Sequence, residues 1–179
     1  MKAVHLALIC HAPTHALKTG YLHGIDDALS PGSERPSPAA PGTQLLSAPE
    51  RRALETAACL GTCVGIEPAL ADCDLGRWQG QALKHLQAEQ PQALAQWLDD
   101  PHSAPHGGES IAALCQRVGA WLEGFDPPGD WLAVTHPFVI RAAMVHVLGC
   151  PLEAFQRIDV LPLSRLPLSR VGRWRLRLA

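Results

Sequence analysis

Two apolar runs that each end in a histidine predict buried strands. Residues 3–9 are apolar apart from His5, and the run stops at His11. Residues 131–134 form a second short apolar run, which is followed by His136. Near-continuous apolar strands are typical of parallel sheets, and open α/β sheets place ligands beyond the carboxyl ends of their strands. The pattern therefore predicts that two strands each deliver a histidine to a ligand-binding edge.

A helix is predicted to follow a second strand at residues 43–46. Ser47 and Glu50 have the spacing of a capping box, and Pro49 suits a first helical turn. Arg52 then lies in the first turn of this helix, where the helix dipole favours anions. Either Arg52 faces a negative group, or it is an ordinary solvated arginine.

The remaining pattern alternates helices, loops and strands. Four prolines within residues 31–42 predict an extended surface loop without a regular helix. Apolar spacing predicts a helix over residues 83–98 that is interrupted near Pro91, and a second helix that begins at Glu109. A helix from Pro137 to Leu148 follows the His136 strand, and residues 173–178 alternate as a final strand with arginines on its solvent face. This order predicts an α/β fold with a largely parallel sheet covered by helices.

Composition narrows the class of protein. The chain has 179 residues, 47% hydrophobic and 18% charged, so residues 1–179 are expected to form a single domain. A formal net charge of −2 gives no electrostatic case for nucleic acid, and no apolar run is long enough to span a membrane. Six scattered cysteines without a C-x-x-C pair, and no secretion signal, predict reduced thiols in a cytoplasmic protein.

Five segments together resemble the histidine phosphatases of the phosphoglycerate mutase-like superfamily (branch 1). Residues 8–14, 47–57, 72–80, 106–110 and 134–142 are similar, in that order, to the family patterns L-(I/V)-R-H-G-E-T, S-S-P-x-x-R-A-x-x-T-A, E-x-x-x-G-x-W-E-G, G-G-E-S and V-S-H-G-G-V-I-R-A. The resemblance covers nearly the whole chain and is closest to the small phosphatases. It implies a three-layer α/β/α sandwich around a mostly parallel sheet.

The resemblance also implies a reaction, namely phosphomonoester hydrolysis through a phosphohistidine. His11 would be the nucleophile, and Arg52 would bind the phosphoryl oxygens. His136 would donate to the same oxygens in the transition state, and Asp72 would act as general acid and then general base. Thr14 could add a hydroxyl contact. The scheme implies a small phosphorylated substrate and requires neither a metal nor a cofactor.

The sequence departs from the family pattern close to these residues. Cys10 stands where the family usually has its first phosphate-binding arginine, and Lys18, His15 or Arg141 are candidates to replace that charge. Losing one charge-assisted contact could cost about 2–4 kcal/mol of transition-state stabilisation. Asp72 is one methylene shorter than the usual glutamate, so its reach is in question.

Two other functions compete with hydrolysis. A catalytically weak or inactive relative would bind a phosphorylated ligand or partner instead of turning it over. A metallohydrolase built from His11, His15, Asp26, His102 and His106 is disfavoured, because Pro105 disrupts the helical spacing of the last two histidines. Substrate specificity is expected from residues 15–42 and 81–107. The sequence predicts neither the substrate nor the oligomeric state.

Overall fold

The central strand of the sheet is the apolar run predicted near the start of the chain. In the computed structural model, which describes residues 3–178, six strands form one sheet: β1 (Val4–Cys10), β2 (Gln44–Ser47), β3 (Gly65–Ile66), β4 (Gly129–Thr135), β5 (Arg165–Val171) and β6 (Arg173–Leu176). Their order across the sheet is β3-β2-β4-β1-β5-β6. The pairs β3–β2, β2–β4 and β4–β1 are parallel, whereas β5 and β6 add antiparallel pairs. The predicted α/β fold with a mostly parallel sheet is confirmed.

The three parallel strands β2, β4 and β1 end at the same edge of the sheet. Cys10 pairs with Thr135, and backbone hydrogen bonds continue the register for one more residue, from the His11 amide to the Thr135 carbonyl at 2.9 Å. On the other side of β4, the Ala48 amide donates to the Val134 carbonyl at 2.8 Å. Because of this register, the residues that follow all three strands lie side by side.

Within residues 3–178 the structure has six α-helices: α1 (His15–Thr19), α2 (Arg51–Leu60), α3 (Leu83–Glu89), α4 (Pro91–Asp99), α5 (Ile111–Gly124) and α6 (Pro137–Leu148). Helix α2 packs against β2 and β4, α6 packs against β1 and β6, and α5 packs on α6. The interruption at Pro91 is confirmed, and residues 31–42 contain neither helix nor strand, as predicted. Within residues 3–178, no helix combines the length and the apolar character that a membrane crossing requires.

The predicted capping box at the start of α2 is wrong. Ser47 is the last residue of β2, and its hydroxyl donates to the Ala48 carbonyl rather than capping a helix. The helix begins at Arg51, so Pro49 precedes it, and the side chain of the N-cap Glu50 makes no capping hydrogen bond. The extended backbone of β2 continues through Ser47, which frees the Glu50 carboxylate for other contacts.

Strand β5 was not predicted from the sequence. Pro167 lies in its middle, and a proline normally argues against a strand because it cannot donate to the ladder. The strand forms nevertheless, because Leu166 and Leu168 are buried on one face and β1 and β6 pair with its two edges.

Two loops approach each other closely near the edge where the parallel strands end. The Glu109 amide donates to the Asp74 carbonyl at 2.7 Å, and the Arg77 amide donates to the His106 carbonyl at 3.1 Å. Gly108 has no room for a side chain in this contact, since a Cβ atom there would lie 2.0 Å from the Asp74 carbonyl oxygen. The contact therefore depends on a glycine at this position.

Replacing Gly108 by alanine should destabilise the protein by about 1–3 kcal/mol, because backbone atoms of the facing loop must move. Gly124→Ala is the control, since a Cβ at Gly124 meets nothing within 4 Å, and alanine is the better helix former. Urea unfolding of the two variants measures the difference. Equal unfolding midpoints would contradict the close approach of the loops.

Candidate active site

His11 is a buried imidazole with one free ring nitrogen. Its side chain follows β1 and is 1% exposed. Nδ1 lies 2.8 Å from the Ala12 carbonyl oxygen, which can only accept, so Nδ1 carries the proton and donates. Nε2 is buried and has no hydrogen-bond partner. Burial and, to a smaller extent, the nearby His136 lower the pKa of His11 to about 3, so the ring is neutral and Nε2 keeps its lone pair.

Arg52 in the first turn of α2 faces a carboxylate, so it is not an ordinary solvated arginine. One guanidinium nitrogen donates to Asp72 Oδ2 at 2.7 Å, and another donates to the Gly24 carbonyl at 2.7 Å. The side chain of Arg52 is 2% exposed and that of Asp72 is 21% exposed. Burial alone would raise the pKa of Asp72, but His136 and Arg52 outweigh it and bring the pKa down to about 2.

His136 lies between two carboxylates. Its Nε2 donates to Glu50 Oε2 at 2.7 Å, and its Nδ1 lies 3.5 Å from Asp72 Oδ2. The ring of His136 is fully buried and its centroid is 5.3 Å from that of His11. Burial raises the pKa of Glu50, but the hydrogen bond from His136 has the opposite effect, and the net pKa is lowered.

Sequence reasoning missed Glu50 as a residue of this cluster. Its Oε2 binds His136, while its Oε1 accepts the Asp72 amide at 2.8 Å, so one carboxylate positions both partners. The signal that could have found it is an acidic residue at the end of a parallel strand, two positions before Arg52. The apparent capping box supplied another role for the same side chain.

The segment that carries Asp72 is fixed from α5. Arg117 donates to the carbonyls of Ala69 and Ala71 at 2.8 and 3.1 Å, and Glu109 holds its guanidinium at 2.7 Å. From the sheet, the Thr135 hydroxyl donates to the Leu70 carbonyl at 2.7 Å. These contacts hold the segment in a position from which the Asp72 carboxylate reaches Arg52 and lies 3.5 Å from His136.

Thr14 and His23 form a second polar pair beside His11. Thr14 Oγ1 lies 2.7 Å from His23 Nε2 and also accepts the Leu17 amide at the start of α1. The rings of His23 and His11 meet edge to face with centroids 5.3 Å apart. Burial lowers the pKa of His23 to about 4, and the charge of Arg52 contributes. If Thr14 donates to His23, contact with a phosphoryl oxygen requires it to release that bond; if His23 donates instead, the Thr14 hydroxyl proton is free for the phosphoryl oxygen.

Cys10 supplies no charge to this cluster. The residue is fully buried, and burial together with the charge of Asp72 raises the pKa of its thiol to about 12. Among the three candidates to replace a cation, only Arg141 lines the cavity that Arg52 and Asp72 border, and His15 and Lys18 do not. Arg141 Nε is buried without a hydrogen-bond partner.

The alternative metal site is not assembled. Across residues 3–178, no group of three or more histidine, cysteine, aspartate or glutamate side chains is arranged to hold a metal ion. His106, one of its proposed ligands, packs between Trp78 and Trp97 with ring centroids 5.0 and 4.5 Å away. His106 therefore belongs to an aromatic cluster, and its pKa is lowered by burial.

The cluster combines a nucleophilic nitrogen with unused hydrogen-bonding groups. Besides His11 Nε2, the buried atoms Arg52 Nε and His136 Nδ1 have no partner within the described residues. Buried polar atoms are rarely left unpaired, and such a group of them indicates a polar ligand. A tetrahedral oxyanion beside His11 could accept from the arginine and from His136.

Comparisons with known proteins identify phosphatases as relatives of this chain. A model of the histidine phosphatase superfamily (branch 1) matches residues 34–177, a range that begins after His11. The glucosyl-3-phosphoglycerate phosphatase of Mycolicibacterium vanbaalenii is 34% identical over 123 residues, 61% of this chain and 55% of that protein. The Mycobacterium tuberculosis enzyme of that name is 30% identical over 122 residues, 60% of this chain and 55% of that protein. The chain thus spans about half the length of the curated relatives it matches.

Solved structures share the architecture over almost the whole chain. The native mycobacterial glucosyl-3-phosphoglycerate phosphatase superposes with a TM-score of 0.78 at 25% identity, covering 98% of this chain and 97% of that one. A phosphoserine phosphatase variant from Entamoeba histolytica, solved with phosphoserine, superposes with a TM-score of 0.80 at 18% identity and covers 97% of this chain and 94% of that one. The second likeness shows the fold alone.

Sulfate binding should draw protons into the site. Sulfate stays a dianion between about pH 7 and about pH 5, whereas His11, His23 and Asp72 are unprotonated there, with pKa values of about 3, 4 and 2. A dianion beside these groups raises each pKa, because nearby negative charge favours the protonated form. The affinity for sulfate should therefore rise as pH falls across this range, with net proton uptake in calorimetry in two buffers of different ionisation enthalpy.

Asp72→Asn and His23→Gln should each reduce that uptake. Asp130→Asn, on the exposed surface at the start of β4, is the control and should leave it at the unsubstituted value. An affinity for sulfate that does not change with pH would rule out the electrostatic coupling.

Proposed function

The chain belongs to branch 1 of the histidine phosphatase superfamily, and on that premise we propose that it hydrolyses phosphomonoesters through a phosphohistidine on His11. The observation that carries the proposal is the state of this imidazole. Its Nδ1 proton is held by the Ala12 carbonyl, its low pKa keeps it neutral, and its Nε2 lone pair has no partner. A neutral, oriented imidazole nitrogen is the form that attacks phosphorus.

In the first step, His11 Nε2 forms a bond to phosphorus while the bond from phosphorus to the ester oxygen breaks. Arg52 and His136 donate to the phosphoryl oxygens, where charge is concentrated in the transition state. Asp72 gives its proton to the departing oxygen, so the product leaves as a neutral alcohol. The phosphoryl group then stays on His11.

In the second step, water attacks phosphorus and the bond to His11 breaks. Asp72, now ionised, takes a proton from the water, and inorganic phosphate is released with the imidazole restored. Every role in both steps is filled by a side chain of this chain, so we propose a metal-independent reaction without a cofactor.

Asp72 must be protonated for the first step, although its pKa is about 2 without a ligand. Arg52 and His136 cause this low value, and both are the groups that a phosphoryl dianion would engage. The dianion adds negative charge beside Asp72 and competes for its cationic partner, and both effects raise the pKa of the carboxyl. Substrate binding itself thereby promotes the protonated acid.

The alternative is a catalytically weak or inactive protein that binds a phosphorylated ligand. The neutral Cys10 thiol favours it, because no second fixed charge supports the transition state there. Under this alternative, sulfate or a phosphonate binds in an Arg52-dependent manner, while phosphomonoesters are bound and not turned over.

We also propose the domain organisation, the cellular location and the kind of partner of this enzyme. Residues 1–179 act as one catalytic domain on a small phosphorylated molecule in the cytoplasm, without a nucleic-acid or membrane partner. The support is the low net charge, the scattered thiols and the phosphatase names of the relatives.

His11→Asn should lower kcat by about 10⁴-fold on an activated substrate such as 4-nitrophenyl phosphate, because it removes the nucleophile. An alkaline quench during turnover should also leave one phosphoryl group on the peptide that contains His11, detected by mass spectrometry. His5→Asn, an exposed histidine on the same strand, is the control and should keep full activity. If His11→Asn turns over as fast as the unsubstituted protein, the phosphohistidine mechanism is wrong.

Glu50→Gln should lower kcat by about 10- to 100-fold while the protein stays folded, because His136 loses its charged partner. The Nε2 proton of His136 should give a downfield, exchange-protected proton resonance that this variant loses. Glu123→Gln changes a similar glutamate–histidine pair on the surface, with His146 at 2.8 Å, and should alter neither kcat nor that resonance. Retention of both kcat and the resonance in Glu50→Gln would refute the positioning role.

A further inference from the structure

A cavity of about 670 Å³ borders the charged cluster, with His23, Arg52 and Asp72 in its wall. Its volume falls within the range of about 300–1,000 Å³ that is typical of small-molecule sites. The remaining wall is mostly apolar and includes Leu17, Tyr21, Leu22, Ile25, Leu83 and Phe138. The cavity therefore combines reactive groups at one side with a surface suited to an apolar ligand.

Several of these apolar side chains are exposed to an unusual degree. Ile25 is 64% exposed, Leu17 49%, Tyr21 48% and Leu83 39%. Exposed apolar groups scattered singly need no explanation, but a contiguous set beside a reactive cluster marks a binding surface. Leu17, Tyr21 and Ile25 come from one stretch, α1 and the loop that follows it, and the backbone of Tyr21 pairs with Ala82 just before α3.

The charges in the wall do not suit a polyanion. Within residues 3–178, the cavity is lined by the carboxylates of Glu50, Asp72 and Asp74 and by only two arginines, Arg52 and Arg141. Arg52 is already paired with Asp72. The lining carries no net positive charge, whether Asp72 is ionised or protonated, and it therefore does not attract a second phosphate or carboxylate on the substrate.

Arg141 is the one cation on the apolar side of the wall among the described residues. Its guanidinium lies 5.4 Å from the ring centroid of Phe138 and 5.6 Å from that of Phe155, a distance at which a cation is attracted to an aromatic face. The nearest carboxylate, on the exposed Asp159, is 4.0 Å away. Arg141 thus extends an aromatic wall. It is also the cation that a second anion on a substrate would contact, so the experiment below includes such a substrate.

We propose that this cavity holds the alcohol part of the substrate, and that the preferred substrate is a phosphomonoester whose alcohol carries a ring-sized apolar group and no second anion. This inference rests on the proposed function, since it assigns the substrate class of the same site. A small molecule is favoured over a protein because the apolar wall is concave and continuous with the residues that surround His11.

Propyl phosphate and 3-phenylpropyl phosphate test the proposal directly. Both are primary alkyl monoesters with the same scissile bond, and they differ by one phenyl ring. Burial of that ring should raise kcat/KM by about 10- to 100-fold. 3-Phosphoglycerate and a phosphoserine peptide serve as the polyanionic and the protein-like substrates, and each should be hydrolysed with a lower kcat/KM than 3-phenylpropyl phosphate.

Matched variants show whether the gain arises in the cavity. Leu17→Asn and Ile25→Asn should reduce the ratio of kcat/KM between the two alkyl phosphates by about threefold or more. Leu148 and Ile66 are 51% and 58% exposed and do not line the cavity, so Leu148→Asn and Ile66→Asn should leave the ratio unchanged. A ratio that falls equally in all four variants would overturn the proposal.

Calorimetry with propylphosphonate and 3-phenylpropylphosphonate gives a second readout that needs no turnover. If neither phosphate is hydrolysed but the phenyl compound binds about 10-fold tighter or more, the proposed function fails and the assignment of the cavity stands. If both phosphates are hydrolysed with equal kcat/KM, the assignment fails and the proposed function stands. Preference for 3-phosphoglycerate, or for the phosphopeptide, would also overturn the assignment.

Discussion

The buried ion pair between Arg52 and Asp72 governs the chemistry of this protein. A guanidinium that is 2% exposed is stable only beside a compensating charge, and Asp72 supplies it at 2.7 Å. A phosphoryl dianion that binds Arg52 takes over this compensation and leaves Asp72 without its cation. The carboxyl then favours the protonated form, which is the form that a departing ester oxygen requires. Under the proposed mechanism, one interaction therefore compensates the charge of Arg52 in the ligand-free site and links substrate binding to the supply of the proton.

The candidate site was predictable where a residue follows directly from the strand pattern. His11 and His136 come at the ends of apolar runs, and parallel strands bring such ends together. Arg52 was identifiable because a cation in a first helical turn requires an explanation. Glu50 was not, since its spacing from Ser47 offered a local role that only the three-dimensional course of β2 excludes. Sequence reasoning found residues that the strand pattern or the helix dipole marks, and it missed a carboxylate that carries no such mark and whose partner lies 86 positions away.

Most of the fold was predictable from the spacing of apolar residues and prolines. That prediction failed where pairing between distant strands determines the structure. The break at Pro91 and the course of residues 31–42 follow from proline chemistry alone. Strand β5 contradicts that chemistry, because Pro167 occupies its centre. Its antiparallel pairing with β1 and β6, together with burial of the flanking leucines, outweighs the missing donor. The pairing with β1 joins strands that are far apart in the chain and leaves no local signal.

The reactive groups lie near the edge of the sheet, whereas much of the cavity wall lies on loops, and this separation affects substrate specificity. The groups proposed to act on phosphorus are buried or half-buried near the ends of β1, β2 and β4, where each also makes structural contacts. The apolar wall includes the exposed side chains of Leu17, Tyr21 and Ile25, which belong to α1 and the loop after it. Loops of this kind change without disturbing the scaffold that carries the chemistry. Proteins of this fold that are named for different phosphorylated substrates share the architecture, and the substrate of this chain depends on the side chains of its own cavity.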